Sequence, residues 1–225
     1  MSLRINNNIS AMNTHRQLVR TDKMLSASLE RLSSGLRINR AADDSAGLAI
    51  SQRLRSQIEG LKMASQNAEQ AKNVVQTAEG FLNEVHNMLN RMRELAVQAS
   101  SDTVDNTNRA SLNGEFDLLR QEISRIANAA EYNNQKLLDG TFNGTFQIGP
   151  NNTPNDSITF SIAAVDGDSL NLGSSSIETR AGANTALDEL TAAIDKVSTT
   201  RSDLGTIQNR LAFTVASVDN SAENL

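Results

Sequence analysis

Cysteine and tryptophan are absent from this 225-residue chain, which has two prolines, Pro150 and Pro154, and one tyrosine, Tyr132. Without thiols there is no disulfide, and a zinc or iron–sulfur site loses its usual ligands. Aromatic residues make up 3% of the chain. A core so poor in large rings has to be assembled from Leu, Ile, Val, Ala and Met, which suits helix packed on helix. No proline interrupts a helix before Pro150. Long runs of one charge sign are also missing. The 21 basic and 26 acidic residues are interspersed, for a net charge of −5. A nucleic-acid binder needs the opposite, a basic stripe that follows phosphates, so nucleic acid is excluded as a partner. No stretch approaches the ~18 apolar residues of a membrane span, which excludes a bilayer partner on this signal. Residues 1–20 carry neither the apolar run nor the small-residue cleavage site of a cleaved leader.

Candidate chemistry is sparse. His15 and His86 form no His-x-x-x-His or Glu-x-x-His pair, so a helical metal site has no support. No phosphate-cradling glycine loop, dinucleotide fingerprint or Gly-x-Ser-x-Gly elbow occurs. The sequence therefore implies neither an enzyme nor a cofactor. Asp43-Asp44 reads as a helix cap with local ion pairing, since Arg37 and Arg40 are close by and a helix begins there. Met63, Met88 and Met92 read as packing filler. Arg91-Met92-Arg93-Glu94-Leu95 puts two guanidiniums and a carboxylate within one helical turn, the pattern of a solvated helix face.

Periodicity is the dominant feature. Ala71, Val75, Ala78, Leu82, Val85, Leu89, Met92, Ala96 and Ala99 alternate steps of four and three without a miss. Leu54, Ile58, Leu61, Ala64 and Ala68 extend the stripe upstream with one local irregularity. Leu112, Phe116, Leu119, Ile123, Ile126 and Ala130 make a second seam. Leu187, Leu190, Ile194, Val197, Leu204, Leu211, Val215, Val218, Ala222 and Leu225 make a third, interrupted only by Arg201 and Gln208. Ile5, Ile9, Met12, Leu18, Leu25, Leu29, Leu32 and Leu36 form a rougher N-terminal stripe. Such seams require partner helices alongside.

The fold expected is therefore mainly α, a long antiparallel coiled-coil rod with a small β-hairpin patch. Gly35 should end the first helix. The next should run from about 45 to 100, roughly 80 Å at the α-helical rise. Further helices are expected at about 108–131 and 184–225. Asn143-Gly144 is a type I′ turn signal between Thr141-Phe142 and Thr145-Phe146, within a β patch at about 140–166. Residues 173–182 read as a Ser- and Gly-rich surface loop whose Ser174, Ser175, Ser176 and Thr179 are candidate O-glycan acceptors. The third seam reaches Leu225 with no glycine, proline or cap behind it, so the chain is expected to lack a C-terminal tail.

Several runs carry a family resemblance. Residues 5–13, Ile-Asn-Asn-Asn-Ile-Ser-Ala-Met-Asn, resemble the start of a bacterial flagellin. The stretch from Leu32 to Ile50, containing Asn39-Arg40-Ala41-Ala42-Asp43-Asp44-Ser45-Ala46-Gly47, is the most specific. Gln76–Gly80, Arg93–Gln98, Tyr132-Asn133 with Lys136–Gly140, and Leu204-Gly205 with Gln208–Leu211 agree with it. The resemblance implies an inner coiled-coil helix plus connector (1–44) and an outer rod domain (45–225). It also implies a self-assembling filament subunit that gives motility, exported unfolded by a flagellar type III apparatus and working outside the cell. The partners implied are other copies of the chain, the export apparatus and its chaperone, the hook-associated and cap proteins, and vertebrate Toll-like receptor 5. Matching the family's Arg-x-Arg-Glu-Leu-Ala-Val-Gln motif places a receptor and polymerisation face at Arg91, Leu95 and Glu115. A hook–filament junction protein of the same apparatus is the runner-up, and a signalling coiled coil is a more distant alternative.

Overall fold

The computed structural model describes residues 8–225, so Ile5 of the expected N-terminal stripe lies outside the described residues. The chain is mainly helical. Four helices, α1 (Ile9–Ser34), α2 (Ser45–Ser100), α3 (Asn106–Ala129) and α4 (Arg180–Asn224), are joined by polar connections and four short strands. It divides into two compact units, Met1–Gln57 and Ile58–Leu225, and the division falls within α2.

In the first unit, α1 starts at Asn8, whose side-chain oxygen accepts the N–H of Ala11 at 3.1 Å. It ends at Gly35 as expected, with φ 68° and the glycine N–H donated to the Arg31 carbonyl. Glycine alone takes that conformation without a Cβ penalty. No residue of α1 is buried. Its stripe of Met12, Leu18, Leu25, Leu29 and Leu32 is 55–81% exposed. The connector after Gly35 is tied back to α1. Asn39 Nδ2 donates to the Glu30 carbonyl and Ser34 Oγ, and Arg40 Nε donates to Glu30 at 2.9 Å. Asp43 and Asp44 divide the work expected of the pair. Asp44 caps α2 by accepting the Gly47 N–H at 2.9 Å. Asp43 accepts the N–H groups of Asn39 and Arg40, and its side-chain ion partner is Arg31 rather than Arg37.

The second unit is built on three helices. All nine α2 positions of the uninterrupted seam, from Ala71 to Ala99, are fully buried. On α3, Phe116 and Ile123 are buried, as is Ala130 just past its end, while Leu112, Leu119 and Ile126 pack at the margin. Arg91 reaches Glu115 and Arg109 reaches Ala99, so α3 runs antiparallel to α2. Glu79 meets Gln208, and Val218 packs with Leu61 and Ala64, so α4 is antiparallel to α2 as well.

Four expectations are corrected. Helix α4 begins at Arg180, not near 184, because Thr179 Oγ1 accepts the Gly182 N–H and the core already starts at Ala183. The α4 seam is Ala183, Ala186, Leu190, Ala193, Val197, Thr200, Leu204, Leu211 and Val218. Leu187, Ile194 and Val215 sit on its shoulder. Small residues win the central positions because they let helices approach closely, and the larger side chains then cover the seam edge. Met63 is 56% exposed and fills no core space, whereas Met92 is buried.

The fourth correction concerns the hairpins. Asn143-Gly144 is no turn: it begins β3 (Asn143–Gln147), which pairs antiparallel with β4 (Ser157–Ser161) across a loop closed by a 3-10 turn at Pro154–Asp156. A Cβ on Gly144 would stand 2.6 Å from the Phe146 ring and 2.9 Å from that of Phe142. The glycine therefore makes room for the Phe142–Phe160–Phe146 cluster, whose centroids are 5.6 and 5.3 Å apart. The two-residue turn expected there occurs earlier, at Asn133 (φ 49°) and Asn134 (φ 62°), joining β1 (Glu131–Tyr132) to β2 (Gln135–Lys136).

Candidate functional site

The surface around Arg91 is the one place where the sequence motif and the geometry can be compared residue by residue. Arg91 is on α2, and its guanidinium bridges two helices: Nε and Nη2 meet Glu115 Oε1 on α3 at 2.9 and 2.8 Å, and Nη1 meets Glu94 at 2.9 Å. These two acceptors, Glu94 first and Glu115 second, hold the guanidinium pKa above its ordinary value. The Arg91 side chain is half exposed. The result is a planar donor group held in place on the surface, with its outer edge open to a partner. Arg91 and Glu115 are thus brought together across the two helices. Leu95 is not part of that surface. It is 1% exposed, lies in the core and supports the face from beneath. Leu95 lies beside the buried Met92 and Ala96 while Arg91 stands at the edge of the same face, a difference that the linear motif does not reveal.

Two buried polar groups escaped the sequence reading. Arg109 is 6% exposed and donates to the Ala99 and Ser101 carbonyls at 2.8 and 3.2 Å, and to Asn106 at 3.0 Å. It satisfies the Ala99 carbonyl, one of those that the end of α2 leaves without helical partners. Asn113 accepts the Ile177 N–H at 2.9 Å and the Ser176 hydroxyl at 3.3 Å, and donates to Asp117. Further along α3, Arg120 donates to the Gly173 carbonyl and Ser124 Oγ accepts the Gly167 N–H. One polar stripe of α3 therefore straps down residues 167–177. Its only sequence signal was the spacing 113, 117, 120, 124, which reads as an ordinary solvated face.

That strap changes the reading of the serine-rich segment. Ser175 and Ile177 are buried, and the Ser175 hydroxyl donates to Glu189. Ser176 is engaged with Asn113, and Thr179 caps α4. Ser174 is exposed. Among the described residues no three His, Cys, Asp or Glu side chains gather as a metal set would, and no helix is long and apolar enough to cross a membrane. His86 is half-buried against the bundle with its Nδ1 unpartnered, and His15 is exposed on α1.

Comparison with known proteins matches residues 5–143 to the bacterial flagellin N-terminal helical region and residues 187–225 to the bacterial flagellin C-terminal helical region. The chain belongs to the bacterial flagellins. The flagellin of Halalkalibacterium halodurans is 44% identical over 224 residues, covering 98% of this chain and 82% of its own. A flagellar filament 33 kDa core protein of Treponema phagedenis is 39% identical over 239 residues, covering 98% of this chain and 82% of its own. Among solved structures, Bacillus cereus flagellin superposes with a TM-score of 0.61 at 30% identity, covering 68% of this chain and 88% of its own. A putative flagellar hook-associated protein of Vibrio parahaemolyticus superposes with a TM-score of 0.66 at 15% identity, covering 83% and 100%. At that identity the likeness is one of fold alone, so the junction-protein alternative gains nothing from it. This flagellin is a structural subunit of the flagellar filament.

Proposed function

We propose that the chain polymerises through the apolar stripe of α1, which packs against other copies as the inner coiled-coil layer of the filament, while residues 45–225 form the outer layer. The observation that carries this is that α1 holds a row of large apolar side chains, Leu18, Leu25, Leu29 and Leu32 among them, and buries none of them. A helix gains most of its stability from packing, so a row of large apolar side chains left in water marks a surface meant to be covered. The subunit is non-enzymatic and works outside the cell. It is exported unfolded by the flagellar type III apparatus with a chaperone, and meets the hook-associated and cap proteins during assembly. Replacing Leu25 and Leu29 by Asp should abolish filament formation in seeded polymerisation while leaving the melting temperature of the α2–α4 bundle unchanged. Normal filaments from that variant would overturn the reading.

We further propose that the Arg91–Glu115 face is gripped by Toll-like receptor 5. Supporting this are the motif match and a half-exposed guanidinium already held in place by Glu94 and Glu115, which loses little freedom on binding. Arg91→Ala should weaken receptor binding at least about thirtyfold, the range of an interface hot spot. The melting temperature should stay at the parent's. Equal binding by parent and variant in a surface-binding assay would refute the assignment.

A further inference from the structure

The seam between α2 and α4 has no intrinsic register. On α2 it runs through Ala64, Ala68, Ala71, Val75, Ala78 and Leu82, and on α4 through Val197, Leu204, Leu211 and Val218. Moving one helix past the other by seven residues sets apolar on apolar again, and burial of apolar area is non-directional. Something else has to choose among heptad-spaced alternatives. Beside the buried Thr200 and the Arg180–Asp102 pair at the start of α4, the shoulder of the seam carries an asymmetry of its own. On α4 that shoulder reads Leu187, Ile194, Arg201, Gln208 and Val215, two polar residues between aliphatic ones. On α2 the facing heptad positions are Lys72, Glu79, His86 and Arg93, with a single carboxylate among them.

We propose that Glu79, held between Arg201 and Gln208, is the device that selects the register of α4 on α2. Glu79 takes Gln208 Nε2 at 2.9 Å on one oxygen and the Arg201 guanidinium at 3.9 Å on the other, so it sits between two residues one heptad apart and engages both. A slip of one heptad breaks this arrangement in either direction. In one, Lys72 moves alongside Arg201, and Gln208 is drawn off Glu79 and replaced by Ile194. In the other, Arg201 leaves the only carboxylate and comes to lie between His86 and Arg93, while Val215 moves against Glu79. Each alternative sets like charges together or leaves a half-buried carboxylate facing an aliphatic side chain. The polar insertion is not there to maximise stability. Arg201 Nε and His86 Nδ1 are both buried without a partner among the described residues, a cost that an aliphatic shoulder would not carry.

The absence of cysteine makes the test direct, because two introduced cysteines are the only sites a spin label can take. Labels at Asn87→Cys on α2 and Ser221→Cys on α4, both exposed, are offset along the bundle axis. A one-heptad slip therefore changes their separation by roughly 10 Å. Pulsed electron–electron distance measurement on the otherwise unaltered chain should give one narrow distance. The triple variant Glu79→Leu, Arg201→Leu, Gln208→Leu should melt at the same or a higher temperature yet show a second distance. Glu79→Lys should show it too, and moving the carboxylate by one heptad, Lys72→Glu with Glu79→Leu, should carry the population to a single distance roughly 10 Å longer. A single unchanged distance in both the triple variant and Glu79→Lys would overturn the proposal. So would a Lys72→Glu, Glu79→Leu variant that keeps the parent's distance, and this arm decides alone if the triple variant does not fold.

Discussion

At the scale of single residues, the polar side chains that matter most are those that end or tether other elements. Arg109 is the clearest case. Its guanidinium donates to the buried Ala99 carbonyl at the end of α2 and, beside the Val104 N–H, to the Ser101 carbonyl just past it. Arg109→Met keeps most of the apolar stem and removes the donors. It should destabilise the folded chain by about 3 kcal/mol, the sum of a lost charge-assisted bond and a stranded acceptor. Denaturant unfolding checks this, and a loss under about 0.5 kcal/mol would mean that water replaces the guanidinium at no cost. No periodicity argument could find Arg109, because a charged residue on a helix is by default assigned to water. Leu95 shows the converse error. A motif names it beside Arg91, and the helical turn places it underneath.

At the scale of elements, the connector between α1 and α2 is held by a carboxylate rather than by apolar packing. The N–H groups of Arg40 and Asn39, and then the Arg31 guanidinium, hold the Asp43 carboxyl below its usual range. A depressed folded pKa means the bound form is fully favoured above the unfolded value of about 3.9 and is lost as pH falls through the folded one. The connector should therefore keep its conformation to lower pH than an ordinary exposed aspartate would allow, then loosen. Amide signals of Asn39 and Arg40, followed by NMR from about pH 5 to about pH 2, should shift with a midpoint below about 3.9. A midpoint at or above that value, or no change in the profile with Asp43→Asn, would contradict the assignment. Helix boundaries were legible at Gly35 and Asp44, where a cap stands at the end of a stripe, whereas α3 starts at Asn106 behind its Asp105 cap and not at about 108. At α4 the helix starts earlier than expected, because Thr179 caps it and Ala183 and Ala186 extend the seam toward the cap.

At the scale of the whole molecule, stability is unevenly distributed. From Leu61 onward α2 contributes fourteen buried residues, and α1 contributes none. Local opening is cheap where few apolar contacts are broken. In dilute solution, amides of α1 should exchange orders of magnitude faster than those of Ala71–Ala99. Slow exchange in residues 12–32 of the monomer would show that the stripe finds cover within the chain. Fast exchange that slows on polymerisation would fit a helix completed by its neighbours in the filament.

The sequence by itself determined the mainly helical class, the number of long helices, the nine α2 seam positions from Ala71 to Ala99 and the membership of the flagellins. These follow from local rules: a period of three and four, the scarcity of proline and aromatics, and caps beside the seams. Only the tertiary structure decided which of two adjacent α4 residues is central, that Asn143-Gly144 lies in a strand and Asn133-Asn134 in a turn, and that Ser175, Arg109 and Asn113 are buried. The physical reason is common to all of these. Period and propensity specify which face of an element turns inward, whereas the distance to the neighbouring element decides whether alanine or leucine fits there and which polar group finds a partner. That distance depends on residues remote in sequence, so it is not written in any local window.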